Sequence, residues 1–373
     1  MNKLWMVLPA LVLASSASAQ QVPPPTEQTD IDNTRFGGTS AVFLTLPADA
    51  RGAALGGAYA ALVSDIAGAF YNPAVVSQMT SNQAMLNYTS YVADTRHITG
   101  AIGWSLQGGE WGLGLSVANF GFGDSPVYTE ETQDGDGQTY SVSNTAIGLT
   151  IARQFSDRFS AGITPRLVTE QLGRVSATGL TVDFGTSYQG EVAGRALRAS
   201  FTLLNYGPAL THDGPVLNTS VDPEDEGMEV EDTPAELRTS SFEPPTQFRI
   251  GLAFDAMAES SRRLTLLSEF YQPNDSDPGV GVGAEFGANV SSTLNVALRG
   301  SFTFAGDNRD SDISGAFGEG AFESDDSDAS LDGLALGGGV ALRSGAFSMG
   351  IDYAYRHLGF LPSVNMFSVK IGW

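Results

Sequence analysis

The chain ends in Phe367-Ser-Val-Lys-Ile-Gly-Trp373, in which apolar residues alternate one by one with small or polar residues. Because successive side chains of a β-strand point to opposite faces, the apolar residues of this segment share one face. They are Phe367, Val369, Ile371 and Trp373. The segment from Phe347 to Arg356 repeats the alternation. This period of two predicts β-strands with one apolar and one polar face.

The same alternation extends back to about residue 83 and predicts about fourteen strands. They cover residues 83–93, 96–106, 111–119, 140–153, 159–170, 176–189, 196–206, 246–257, 262–272, 279–289, 293–304, 333–343, 346–357 and 365–373. Most reach the roughly 9–11 residues that a tilted strand needs to cross the hydrocarbon layer. Past the N-terminus, no apolar run is long enough for a membrane-spanning helix.

Alternation alone does not separate a membrane barrel from a soluble β-sandwich, whose apolar face points inward. Three features favour the barrel. The polar faces carry isolated charges, such as Glu269, Glu285 and Arg299, which suit a lumen with paired charges. The final aromatic residue, within the alternating segment 367–373, resembles the C-terminal signal by which outer-membrane barrels are recognised for insertion. The lengths of the connections are the third feature.

Short connections are predicted to alternate strictly with long ones along the chain. The short ones are 107–110, 154–158, 190–195, 258–261, 290–292 and 344–345, and the long ones are 120–139, 207–245 and 305–332. Such parity is typical of a barrel with periplasmic turns on one rim and extracellular loops on the other. We therefore predict an all-β fold: an antiparallel transmembrane β-barrel over residues 81–373, with outer-membrane lipid and lipopolysaccharide as its surroundings.

The net charge of −23 is concentrated in the three long connections, which hold 24 acidic residues and two basic ones. No basic surface is present to release counterions from a phosphate backbone, so a nucleic-acid partner is disfavoured and none is predicted. The simplest interpretation of these segments is that they are solvated loops. Asp134-Gly-Asp-Gly137 resembles the opening of a calcium loop but lacks the later bidentate Glu.

The N-terminus predicts export. A basic Lys3, an apolar stretch and Ala17-Ser-Ala19 form a signal peptide over residues 1–19, cleaved before Gln20. Residues 20–35 are rich in Pro and Gln and predict a flexible periplasmic leader. Residues 36–80 contain short apolar stretches among small residues, and we predict that they form a plug in the lumen.

The sequence of this plug segment resembles that of a known protein family. It contains Ala50-Arg-Gly-Ala-Ala-Leu-Gly-Gly57, then Asp65, then Tyr71-Asn-Pro-Ala74. The combination resembles the N-terminal signature of the PorV/PorQ family, which belongs to the wider group of FadL-like outer-membrane proteins. The detailed match covers about 40 residues. On this resemblance the residues of the plug motif are Arg51, Gly56, Gly57, Asp65, Asn72 and Pro73.

The resemblance implies a fourteen-stranded barrel with a luminal plug that acts as an accessory of protein secretion through the type IX secretion system. Its partners are then a type IX translocon, exported cargo and, during insertion, the barrel-assembly machinery. More distant FadL-like relatives imply an alternative, a channel for the uptake of hydrophobic or small solutes. A structural or adhesive surface protein is a third possibility.

From the residues we expect three features of the plug segment. Arg51 is expected to pair with Glu269 or Glu285, and Gly56 and Gly57 to adopt positive φ or to allow close backbone approach. Pro73 is expected to disfavour helix at Asn72 and to mark the end of the plug.

Catalysis is not expected. The chain has no Cys and only three His, which are interpreted as interfacial, and no nucleophile motif or metal-ligand cluster surrounds them. The Gly-rich segments do not precede a helix and are interpreted as points of strand curvature. We therefore predict a non-enzymatic protein with no cofactor, no metal and no catalytic residues.

Overall fold

The computed structural model describes residues 38–128, 132–133, 137–221, 233–305, 333–359 and 361–373. Fourteen strands form one closed antiparallel barrel, as predicted. They are β1 (Gln83–Ser90), β2 (Arg96–Leu106), β3 (Trp111–Pro126), β4 (Thr139–Ser156), β5 (Phe159–Leu172), β6 (Val175–Val192), β7 (Arg195–Tyr206), β8 (Gln247–Ala258), β9 (Arg262–Pro273), β10 (Gly279–Asn289), β11 (Leu294–Ala305), β12 (Leu334–Ser344), β13 (Phe347–Leu358) and β14 (Leu361–Gly372).

The first and last strands close the cylinder. Gln83 lies opposite Gly372, and Ser90 lies opposite Asn365. Closure is what a sheet in lipid requires, because an open edge would leave unpaired backbone groups in hydrocarbon at a cost of several kcal/mol each.

The apolar faces of the strands point outward, as the alternation predicts. Leu298 and Phe367 are 63% and 53% exposed on the outer surface of the barrel. The alternate positions face the lumen and are polar and buried, among them Asn87, Thr181 and Ser368. Lipid thus takes the place that a hydrophobic core holds in a soluble sandwich.

The two rims differ less in connection length than predicted. The rim that holds both barrel ends, called the inner rim here, carries six short turns. The opposite, outer rim carries the three long acidic connections, but four of its connections are short: 91–95, 173–174, 274–278 and 359–360. The prediction of strict alternation was therefore wrong. Neighbouring strands that end at the same height can be joined by a tight hairpin on either rim.

Some strands are longer than their alternation indicates. β3 continues to Pro126, seven residues beyond its predicted end, and its last residues pair with β4. β14 begins at Leu361, four residues before its predicted start. Hairpins that rise beyond the lipid need no apolar outer face, so their ends lack the pattern on which the prediction rested.

The remaining elements are short. Helices α1 (Ala50–Ala54) and α2 (Gly68–Tyr71) and the 3₁₀ turns Val42–Thr45 and Pro73–Gln78 lie in the N-terminal segment. Further 3₁₀ turns are Gln107–Gly109 and Pro215–Leu217. In the connection between β7 and β8, Leu210–Thr211 pairs with Ser241–Phe242, and Asn218–Val221 pairs with Thr233–Glu236.

No helix in the described residues is long and apolar enough to cross a membrane. The predicted signal peptide (1–19), the leader (20–35) and the calcium-like residues Asp134 to Asp136 lie outside the described residues.

Candidate functional site: the luminal plug and its cavity

Residues 39–79 fill the lumen of the barrel. We call residues 39–48 the strap and residues 49–79 the plug body. The strap begins at the outer rim, where Thr39 pairs with Glu243. The plug body ends at the inner rim, just before β1. Its apolar side chains are almost fully buried, Leu55, Tyr59 and Ile66 completely so. Because the plug has little regular structure, the barrel wall must supply partners for its backbone groups.

Local sequence explains the turns of the plug body. The Asp49 carboxylate accepts a hydrogen bond from the Gly52 N–H (3.0 Å) and caps α1. Gly56 and Gly57 follow with φ of 60° and 84°, a region that residues with a Cβ rarely adopt.

Asn72 is extended, as expected, but Pro73 does not end the plug. The Asn72 side chain caps the 3₁₀ turn Pro73–Gln78 by accepting from the Ala74 N–H, and its amide donates to the backbone oxygens of Ala60 and Thr186. Proline suits this first position, since its missing N–H would have no partner there. The plug therefore continues for six more residues.

Arg51 ties the plug body to the wall through a chain of ion pairs. Its guanidinium forms a bidentate contact with Glu285 (2.7 and 2.8 Å), and Glu285 also accepts from Arg299 (2.6 Å). Arg299 in turn donates to Asp352 (2.6 Å). Four charges from α1, β10, β11 and β13 thus neutralise one another in the lumen, as buried charges must.

Lys370 on β14 forms a second cluster. Its ammonium lies 2.7 Å from Asp49 and 2.8 Å from Asp65. Burial by itself would raise the pKa of the Asp65 carboxyl, but Lys370 and Arg51 outweigh burial and hold the pKa below its ordinary value. Asp65 therefore stays charged inside the plug.

Glu269 pairs with Arg249 (3.0 Å) and not with Arg51. Its carboxylate also accepts from the Ala60 N–H (3.0 Å), and Arg249 donates to the Gly57 backbone oxygen (3.3 Å). The sequence supplied Arg51, Glu269 and Glu285 as candidates. Only the fold assigns each its partner.

Hydroxyls on luminal strand positions satisfy further plug backbone groups. Ser301 donates to the Ala54 oxygen (3.0 Å), Thr303 donates to the Gly56 oxygen (3.0 Å), and Ser368 accepts from the Ala50 N–H (2.7 Å). These polar side chains alternate with lipid-facing residues, so their luminal position was predictable. Their role as plug anchors was not.

Several wall glycines make room for the plug. A Cβ on Gly112 would lie 2.2 Å from the Val76 oxygen, and one on Gly185 would lie 2.2 Å from the Asn72 side-chain oxygen. Gly162 and Gly337 show the same crowding against Pro73 and Ala54. The interpretation of glycines as points of curvature missed this contact. The available signal was that these glycines stand at luminal positions of alternating strands.

A cavity of about 240 Å³ lies between the strap, the plug body and the outer half of the wall. Its lining combines polar groups with apolar and aromatic side chains, the latter from Phe43, Leu44, Leu46, Pro47, Phe70, Tyr71, Ala118, Leu204 and Tyr271. Arg166, Arg249 and Arg356 supply positive charge, and among the described residues no carboxylate belongs to the lining. Arg166 and Arg249 are held by Asp183 (2.7 Å) and Glu269 on their far sides. Such a site suits a small apolar molecule, with guanidinium groups available to aromatic faces or oxygen acceptors.

Of the residues singled out in the sequence, Gly56, Gly57 and His97 line this cavity. The C-terminal signal residues lie on and just beyond β14 and point outward, and the ring of Phe367 contacts Tyr353 with centroids 5.2 Å apart. His97 was expected at the interface, but its side chain is 2% exposed and belongs to the cavity lining. The alternation of Ile98, Ile102 and Trp104 in β2 places His97 on the opposite, luminal face, and this signal was overlooked.

Comparisons with known proteins show the fold. No protein-family model and no curated protein sequence matches the chain. Among solved structures, the CymD monoaromatic hydrocarbon channel matches with a TM-score of 0.53 and 12% identity, over 87% of this chain and 96% of that chain. The toluene transporter TbuX of Ralstonia pickettii matches with a TM-score of 0.51 and 12% identity, over 87% and 96%. The toluene transporter TodX of Pseudomonas putida gives 0.50 and 11%, over 86% and 96%. The chain thus shares the barrel fold of these three proteins.

Proposed function

We propose that the protein is an outer-membrane channel for the uptake of small hydrophobic molecules, exported through a cleaved signal peptide. The observation that carries this proposal is the cavity of about 240 Å³ on the outer side of the plug, which is lined by apolar and aromatic side chains together with polar and basic groups. A dry apolar cavity of about 150 Å³ is enough to bind benzene. The cavity therefore has room for one molecule the size of a single aromatic ring.

The surroundings of the cavity support the proposal. The plug is anchored from several sides, by Arg51, Asn72 and Glu269 among others, so the described lumen is no open aqueous pore. A water-filled pore would pass polar solutes by size alone, whereas an apolar pocket selects molecules that gain free energy by leaving water. The hydrocarbon channels with the same fold are consistent with this chemistry.

Substitution of Ala118 tests the proposal. Ala118 is buried and lines the cavity, whereas its neighbour Val117 points outward. We expect cells that produce the protein to take up radiolabelled toluene several-fold faster than cells without it. Ala118→Phe should remove most of this gain, because the ring occupies the cavity, and Val117→Phe should retain it.

Folding of each variant is checked by the resistance of the barrel to SDS without heating. Equal uptake by cells with and without the protein, for toluene and for a longer alkane, would contradict the proposal. So would full uptake by a folded Ala118→Phe variant.

The secretion-accessory function receives less support and stays a prediction. Its basis is the plug signature, and the residues of that signature already have structural roles. Arg51 and Asp65 form ion pairs with luminal charges, and Asn72 bonds the wall. Plug docking alone therefore accounts for the motif. A comparison of proteins exported with and without this gene product tests the secretion function directly.

A further inference from the structure

Arg356 is a luminal cation with no carboxylate partner among the described residues. It lies in the luminal row of β13, and its partners across the two strand pairs are Ala335 on β12 and Val364 on β14, both apolar and buried. Asp352 of the same row lies roughly 13 Å away along the strand and already binds Arg299. The Arg356 side chain is half-buried and lines the cavity, so water solvates its charge only in part.

The other two guanidinium groups of the cavity are paired on their far sides. Arg166 contacts Asp183 (2.7 Å), and Arg249 contacts Glu269 (3.0 Å). The Arg249 guanidinium also lies 6.0 Å from the ring centre of Tyr271, which lines the cavity. Three guanidinium charges against two paired carboxylates leave one positive charge in this part of the described lumen. That charge is the one on Arg356.

A charge held away from water needs a partner, because removing an unpaired charge from water is costly. The other luminal cations follow this rule, since Arg51, Arg299 and Lys370 each contact a carboxylate. At Arg356 the described chain supplies none, and the guanidinium borders a cavity instead. A molecule bound in that cavity can supply the negative charge, and a carboxylate fits the planar fork of a guanidinium by accepting two parallel hydrogen bonds.

The size of the cavity suits such a molecule. A dry cavity of about 150 Å³ holds benzene. The cavity here has about 240 Å³, so one aromatic ring leaves room for a carboxylate.

We propose that the preferred ligand of the cavity is a small aromatic carboxylate, with its ring among the apolar and aromatic side chains and its carboxylate on Arg356. This inference rests on the proposed uptake function. It narrows the substrate class from small hydrophobic molecules in general to those that carry one anionic group.

The acidic connections of the outer rim affect the approach of an anion more than its binding. At physiological ionic strength, exposed charges more than about 8 Å apart are largely screened from each other. A direct contact with the half-buried Arg356 is screened much less. Binding at equilibrium to the purified protein therefore tests the preference separately from the rate of entry.

Benzoate and benzamide are a matched pair of probes, because they have nearly the same shape and only benzoate is charged at about pH 7.5. Equilibrium dialysis of each radiolabelled compound against the purified protein in mild detergent measures its Kd. Arg356→Gln removes the charge from the cavity, and Arg356→Lys retains it. Arg343→Gln is the control, since Arg343 is exposed at the inner end of β12. Resistance of the barrel to SDS without heating verifies that each variant is folded.

We expect the unsubstituted protein to bind benzoate roughly tenfold more tightly than benzamide, since hydrogen bonds between charged groups are about twice as strong as neutral ones. Arg356→Gln should remove most of this difference, Arg356→Lys should keep much of it, and Arg343→Gln should leave it unchanged. Equal Kd values of the two compounds for the unsubstituted protein would overturn the proposal. An unchanged benzoate Kd in the folded Arg356→Gln variant would overturn it as well.

Failure of this inference is distinguishable from failure of the uptake function. If cells take up toluene through the protein while the protein binds benzoate no better than benzamide, the channel function stands and the aromatic carboxylate is refuted. If the protein binds neither compound and gives cells no gain in toluene uptake, both proposals are refuted.

Discussion

At the scale of single residues, Arg51 determines how the plug is held. Its guanidinium contacts Glu285 and lies 5.4 Å from the ring centre of Tyr59, and its side chain is 17% exposed. The pair joins residues 234 positions apart in the chain. Arg51 therefore couples the plug to the wall by charge as well as by packing.

Arg51→Met should lower the free energy of unfolding by about 3 kcal/mol, because breaking a buried pair leaves an uncompensated charge. Arg299 still contacts Glu285, so the effect should fall at the low end of the usual range. Urea unfolding in lipid vesicles measures it. Arg263→Met is the control, since Arg263 is 62% exposed and should contribute less than about 1 kcal/mol. Equal effects of the two substitutions would contradict the ion-pair account.

Asp65 gives the plug a defined pH dependence. Its pKa is held below the ordinary value in the folded protein, because Lys370 and Arg51 outweigh the effect of burial. A carboxyl with a lowered folded pKa stabilises the fold above its unfolded pKa, about 3.9, and loses this contribution as pH falls through the folded pKa.

We therefore expect Asp65→Asn to destabilise the protein by a constant amount between pH 7 and about pH 4. The difference from the unsubstituted protein should shrink only below that range. Unfolding in urea at several pH values measures it, and taking the difference removes the titration of other carboxyls. A difference that disappears between pH 7 and pH 5 would show that Asp65 is not held charged by Lys370.

At the scale of elements, the strands contact the plug closely because glycines stand at several luminal positions. β3 carries Gly112 where the Val76 backbone of the plug lies against the wall. A strand with a Cβ at this position would force either the 3₁₀ turn Pro73–Gln78 or β3 to move. The glycines of the wall thus specify the position of the plug as much as the ion pairs do.

Gly112→Ala should destabilise the protein by about 1–3 kcal/mol, the usual effect of overpacking. Gly100→Ala on the adjacent strand β2 is the matched control. Its Cβ would be 3.6 Å from the nearest atom, an ordinary contact, so the change should stay within about 0.5 kcal/mol. The urea unfolding midpoints of the two variants, measured in the same vesicles, compare the two effects. A neutral Gly112→Ala would mean that the plug can shift freely along the wall.

At the scale of the whole molecule, the chain separates its side chains into three environments. Apolar residues face outward, paired charges and hydroxyls face the lumen, and most of the acidic residues are in the long connections of the outer rim. Equally exposed residues should therefore respond differently to the same substitution, according to whether they face lipid or water.

Leu298 and Leu237 test this separation. Leu298, in β11, is 63% exposed, and Leu237, in an outer-rim connection, is 59% exposed. Leu298→Arg should cost about 2–4 kcal/mol near the bilayer midplane, whereas Leu237→Arg should be near neutral. Insertion into vesicles and urea unfolding measure both. A neutral Leu298→Arg would contradict a lipid-facing barrel surface.

The closed barrel with its lipid-facing exterior could be predicted from the sequence because β-geometry repeats every two residues. Phe367, Val369 and Ile371 must share a face in any strand. Fourteen such strands closed into one barrel expose their apolar faces on the outside, where lipid is the solvent that suits them. The ends of the strands were harder to predict from the sequence. β3 continues beyond the lipid to Pro126, and there its outer face need not be apolar, so the alternation is lost.

The sequence by itself determined the strand pattern, the luminal face and the existence of a plug, since each follows from local periodicity and composition. Only the tertiary structure decided that Glu285 and not Glu269 pairs with Arg51, that Gly112 and Gly185 receive the plug, and that the strap enters from the outer rim. These contacts join residues separated by tens to hundreds of positions. No local pattern encodes them, because closure of the barrel is what brings the partners together.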